Sequence, residues 1–195
     1  MRRITASGIA AALVLIAASS GYAQIGIAAG GVYSNASVQV DGSDVPTDYI
    51  VGFSGGISYA TGGMLGVIFG AYYTQRGFGV SGSNSEVQPA YIEVPVMAVV
   101  KLPIIEKLLG PRLYGGADLN YEVSCSSSGS LIDLGGFSCD ETNKFDFALK
   151  GGLGLQVLFL GLDLSYTYGL TNIASPDAVS VKNRTLALAL LFGIG

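Results

Sequence analysis

Eight times along this 195-residue chain, apolar side chains recur at every second position. A strand sends successive side chains to opposite faces, so each such segment has one face of uniform character. The sharpest case is Tyr91–Leu102, "YIEVPVMAVVKL". Ile92, Val94, Val96, Ala98, Val100 and Leu102 make one set with no polar side chain. Glu93, Pro95, Met97, Val99 and Lys101 make the other, which holds both charges. The remaining apolar sets run from Ile25 to Tyr33, Tyr49 to Tyr59, Leu65 to Tyr73, Leu113 to Val123, Phe145 to Val157, Leu160 to Leu170 and Leu186 to Ile194. Each segment is close to the roughly 9 to 11 residues that a tilted membrane strand needs.

Beyond the N-terminus no apolar run reaches the roughly 18 to 20 residues of a membrane-spanning helix. A chain without such helices can enter a bilayer only as a closed barrel, because every backbone polar group must be satisfied within the structure. Composition agrees. Half the residues are hydrophobic and 12% are charged, against about 25% charged in a typical soluble domain. The net charge of -4 lacks the basic stripe of a nucleic-acid binder. The expected fold is therefore all-β, an eight-stranded antiparallel up-and-down transmembrane barrel.

The N-terminus reads as an export signal. Arg2 and Arg3 precede an apolar run from Gly8 to Ala18, and Gly21 and Ala23 are small residues at the -3 and -1 positions of a cleavage site. Residues 1–23 are expected to be removed, which leaves 24–195 as one barrel domain.

The connections alternate in length. Thr61–Gly63, Pro103–Pro111 and Leu158–Leu160 read as turns. Ser34–Asp48, Gly77–Gln88, Ser124–Asn143 and Asn172–Asn183 read as long polar loops. Short periplasmic turns and long extracellular loops are the plan of an outer-membrane barrel, with both termini periplasmic. Pro95 lacks a ladder donor and is expected to mark a bulge or kink.

Alternation alone fits two media. In a soluble lipocalin-like barrel the apolar set points inward; in a membrane barrel it meets lipid. Three features favour lipid. The polar set is crowded with Gly, Ala, Ser and Thr, which suits a narrow lumen. The apolar set is nearly free of charge, Arg184 excepted. Tyr33, Tyr49, Tyr59, Tyr73, Tyr121 and Tyr168 lie near strand ends, as in interfacial girdles. The lumen would then hold Arg76, Glu93, Lys101, Arg112, Asp118, Glu122, Asp146, Lys150 and Asp163. These are five acids and four bases, expected to pair because an isolated buried charge is costly.

Tyr91-Ile-Glu-Val-Pro95, with Lys101 downstream, resembles the Y-x-E-x-P strand of the PorT-like outer-membrane β-barrel family. Leu162–Ile173 resembles its penultimate strand, which commonly ends Y-x-x-G-L-x-N-I. The resemblance implies an eight-stranded barrel in the outer membrane of a Gram-negative-type bacterium, and it extends in layout over the mature chain. It implies little about activity, although the namesake is linked to protein secretion. The chain ends Leu191-Phe-Gly-Ile-Gly195, so the terminal aromatic usual in such barrels is displaced to Phe192.

The chain has no histidine. The His-dependent nucleophile systems of barrel hydrolases are therefore closed to it, and no enzyme activity, cofactor or metal site is expected. Cys125 and Cys139, an even pair in an exported chain, read as a disulfide that staples a loop. The acidic loop residues Asp41, Asp44, Asp48, Glu86, Asp133, Asp140, Glu141 and Asp177 read as a solvated surface. The expected role is structural or interactive: outer-membrane lipid and lipopolysaccharide around the wall, secretion or surface proteins at the loops, and no nucleic acid. A narrow channel for small solutes and a soluble periplasmic binder are the alternatives.

Overall fold

A computed structural model describes residues 24–61, 63–82, 85–102, 110–128, 139, 143–174 and 179–194 of the protein. The expected signal segment lies outside these residues, as do Asp133, Asp140, Glu141, Asp177 and most of the Pro103–Pro111 turn. The strands are β1 (Gln24–Val40), β2 (Ser43–Val45), β3 (Thr47–Ala60), β4 (Leu65–Gln75), β5 (Phe78–Val80), β6 (Glu86–Lys101), β7 (Gly110–Ser128), β8 (Phe145–Val157), β9 (Leu160–Gly169) and β10 (Val179–Ile194). Eight are long and form the wall. Each pairs antiparallel with its neighbours, and β1 pairs with both β3 and β10, which closes the barrel and leaves no long strand as an edge. The short β2 and β5 add to the wall at one end, β2 against β1, and β5 between β3 and β6.

The two ends differ. The turn rim carries Gln24, Ile194 and the links β3–β4, β6–β7 and β8–β9. The last of these is two residues long, Leu158 and Phe159, with Leu158 at φ 56°. The loop rim carries the remaining connections.

The outer wall is apolar. Val94, Leu162 and Leu188 are 41%, 48% and 52% exposed, whereas Asp118 is fully buried within. A soluble barrel needs the reverse, so the lipocalin-like alternative is set aside. Aromatic residues pair on this wall at both rims: Tyr33 stacks on Tyr49 at 4.5 Å, and Phe159 lies 5.3 Å from Phe192.

Two expectations need correction. First, the four long connections are not loops throughout. The wall continues to Val40 in β1 and to Ser128 in β7, and it begins at Glu86 in β6 and Val179 in β10. The physical reason is a change of medium along the same strands. On β1 the outward set reads Ile25, Ile27, Ala29, Gly31, Tyr33 and then Asn35, Ser37, Gln39. The inward set changes the other way, to Ala36 and Val38. The strand persists while polarity inverts, because water replaces lipid outside and an apolar core replaces the polar lumen. A search for apolar-out alternation therefore stops at Tyr33.

Second, no bulge lies at Pro95. The register from Tyr91 to Lys101 against β7 is unbroken, and the shift falls between Ala90 and Tyr91, opposite Ser124 and Glu122. Towards β4 the pairing lapses at Val94 and Pro95 and then resumes in the same register. The missing donor thus interrupts a ladder without displacing it.

Candidate functional site in the barrel lumen

Three layers cross the lumen. Nearest the turn rim is a cavity of about 80 Å³, walled on one side by Gly26, Ala28 and Gly30 of β1 and Ala187 and Ala189 of β10, and reaching Lys150. Small residues here follow from curvature: a Cβ on Gly30 would collide with the backbone of Ala189, 2.5 Å from its Cα.

The middle layer is ionic. The Arg76 guanidinium, fully buried, lies 3.2 Å from Glu93 Oε1 and 3.2 Å from Asp146 Oδ2. Lys150 Nζ lies 3.1 Å from Glu93 Oε2 and 3.5 Å from Asp118 Oδ2. Glu93 therefore joins the two bases, one through each carboxylate oxygen. Arg76 also stacks over the Tyr91 ring at 4.3 Å. Asn183 Nδ2 donates to Asp146 Oδ2 at 3.2 Å, and the Thr171 hydroxyl donates to Asp146 Oδ1 at 2.6 Å. Alternation explains the convergence: each of these strand residues occupies the inward set of its own strand, and closure brings those sets together.

Arg112 and Asp163 form a separate ion pair nearer the turn rim. Among the described residues, Lys101 forms no ion pair with a carboxylate. It donates to the Thr61 carbonyl at 3.1 Å, and its cross-strand neighbour is another base, Arg112. Glu122 is buried beside its cross-strand partner Tyr91.

The third layer is an apolar cap at the loop rim, made by Ala36, Val38, Phe78, Val80, Val87, Ile173, Ala174 and Val181. The link from β4 to β5 turns inward to build it. Ser34 Oγ donates to the Gly77 carbonyl at 2.9 Å and accepts from the Gly77 N–H at 2.8 Å, which ties that link to β1. Cys125 and Cys139 are joined by a disulfide and pack against the cap.

Sequence reasoning identified the charged residues but missed Tyr91, Asn183, Thr171 and Phe78. Tyr91 shares the inward parity of Glu93, and Asn183 that of the buried Thr185, which was the available signal. Thr171 and Phe78 lie beyond strand ends or on a short segment, where parity carries no information. No group of three or more His, Cys, Asp or Glu suited to a metal ion occurs among the described residues.

An apolar outer wall, a charged interior and a closed antiparallel sheet together define a transmembrane β-barrel. Residues 16–175 match the family described as outer membrane protein beta-barrel domain, and the chain belongs to that family. It is a protein of the bacterial outer membrane. Among solved structures, OprG from Pseudomonas aeruginosa is similar with a TM-score of 0.53 and 11% identity, over 90% of this chain and 97% of that one. Ail of Yersinia pestis, solved with the heparin analogue sucrose octasulfate, aligns at 23% identity and a TM-score of 0.46, over 88% and 99% of the two chains. Neisserial surface protein A aligns at 18% identity and a TM-score of 0.47, over 86% and 96%. No curated protein matches the chain.

Proposed function

We propose that this protein is a sealed small outer-membrane barrel with a structural or interaction role. Its loop rim faces the cell exterior and contacts surface partners or a secretion apparatus, and it has no catalytic role. On this reading residues 1–23 are a cleaved signal, 24–195 form the mature barrel, and both termini are periplasmic. The Y-x-E-x-P strand supports reading it as a PorT-like barrel. The observation that carries the reading is the double closure of the lumen: an ionic layer centred on the fully buried Arg76, and above it a cap with Phe78 equally buried. An eight-stranded barrel has room for side chains and little more. Planar-bilayer recording on the refolded protein tests it. Silence is expected, and steady single-channel steps would overturn it.

The cavity that reaches Lys150 from the turn rim favours a second reading, a narrow channel for small solutes whose ionic layer opens on demand. Conductance steps that change on neutralising Glu93 or Lys101 would support it.

A further inference from the structure

We propose that Lys182 and Arg184, on the outward face of β10 at the loop rim, bind the phosphate of an outer-leaflet glycolipid. This rests on the reading that the loop rim faces the cell exterior.

Among the described residues, Arg76, Lys101, Arg112 and Lys150 belong to the lumen side of the wall, while Lys144, Lys182 and Arg184 do not. Two of the latter share one strand face. Val181 and Asn183 point inward and are buried, so Lys182 and Arg184 point outward together. Immediately below them on the same face come Leu186, Leu188 and Leu190, at 43%, 52% and 67% exposed. A lipid whose acyl chains lie along those leucines brings its headgroup to Arg184 and then to Lys182.

The surroundings suit an anion. Neither base has a carboxylate within ion-pair distance among the described residues. Arg184 instead lies over the Tyr168 ring at 5.8 Å, which orients its planar fork. Across the ladder on β1, Arg184 faces Asn35 and Lys182 faces Ser37, both uncharged. The acid placed next along this wall, Asp44, accepts a hydrogen bond from Gln39 at 2.8 Å. A guanidinium fork beside an ammonium at the lipid boundary matches phosphate, the anionic group that lipid headgroups present there. On the paired strand, Leu186 faces Tyr33, whose ring stacks on Tyr49 and gives the headgroup an aromatic flank.

The test is native mass spectrometry of the mature protein in detergent, titrated with bisphosphorylated lipid A, the same lipid A after dephosphorylation, and phosphatidylglycerol. Wild type is expected to hold a lipid A adduct that falls at least fivefold on dephosphorylation and at least fivefold in the Lys182→Ala/Arg184→Ala variant. Arg184→Lys should keep part of it. Both side chains lie outside the barrel, so the heat-dependent gel shift of the folded variant should be unchanged; variants that lack it are replaced by Arg184→Gln alone. Equal adducts in wild type and double variant would overturn the site. Phosphatidylglycerol binding as tightly as lipid A would overturn the choice of glycolipid. Protease shaving of intact cells decides the sidedness separately: if the loop rim is protected there while the double variant still loses its adduct, the phosphate site stands and the outer-leaflet occupant fails.

Discussion

Arg112 of β7 and Asp163 of β9 form their ion pair across the intervening strand, over the bare backbone of Gly154 in β8. A Cβ at Gly154 would stand 2.5 Å from Asp163 Oδ1 and 2.6 Å from Arg112 Nε. Gly154→Ala is therefore expected to displace the pair and cost about 1 to 3 kcal/mol, the usual range for overpacking. Removing one partner leaves a buried charge, so Arg112→Met or Asp163→Leu alone should each cost about 3 kcal/mol, while the double apolar variant falls close to wild type. Urea unfolding in detergent, followed by circular dichroism because the chain has no tryptophan, completes this double-mutant cycle. Additive single effects would show that the two side chains do not interact.

Glu93 serves both Arg76 and Lys150. Glu93→Gln leaves each base with one carboxylate, Asp146 and Asp118 respectively. A loss of about 3 kcal/mol is expected, within the range for breaking a buried pair. The urea midpoint measures it, and a shift too small to detect would remove Glu93 from its central place.

Phe78 fills the cap. Phe78→Ala should cost about 3 to 5 kcal/mol if the site cannot collapse. Two seals lie in series, so this variant alone should remain silent in planar bilayers, as should Glu93→Gln alone. The pair combined is expected to conduct. Conduction by either single variant would show that one layer does all the sealing.

Leu158 adopts φ 56° in the two-residue β8–β9 turn. This left-handed conformation costs a residue with a bulky Cβ roughly 1 to 2 kcal/mol, and asparagine tolerates it better. Leu158→Asn should therefore stabilise the barrel by about 0.5 to 1 kcal/mol. Thermal unfolding monitored by gel mobility checks the sign.

The Cys125–Cys139 bridge spans a sequence separation of 14. The chain-entropy model gives about 3 kcal/mol for closing a loop of that size. Reduction is expected to expose the loop rim to limited proteolysis while the strands within the membrane stay protected. Loss of the whole barrel on reduction would mean that the bridge is integral to the wall.

The alternation of Tyr91–Leu102 and its seven counterparts determined the strand count, the antiparallel plan and the face that meets lipid. It could do so because side-chain direction in a strand is local, set by parity alone, and a bilayer makes one parity uniformly apolar. The set of inward charges was legible for the same reason. Tertiary structure alone decided which charges meet. Arg76 reaches Glu93 and Asp146, and Arg112 reaches Asp163, because barrel closure and stagger bring together residues on different strands, and no single strand encodes that stagger. It also decided the third layer: the turn of Gly77 towards Ser34 and the burial of Phe78 and Ile173 depend on several segments converging in one lumen. The extension of β1 past Tyr33 lies between these cases. Its pattern is present in the residues, but its polarity is inverted, and it becomes readable only once the boundary between lipid and water is known.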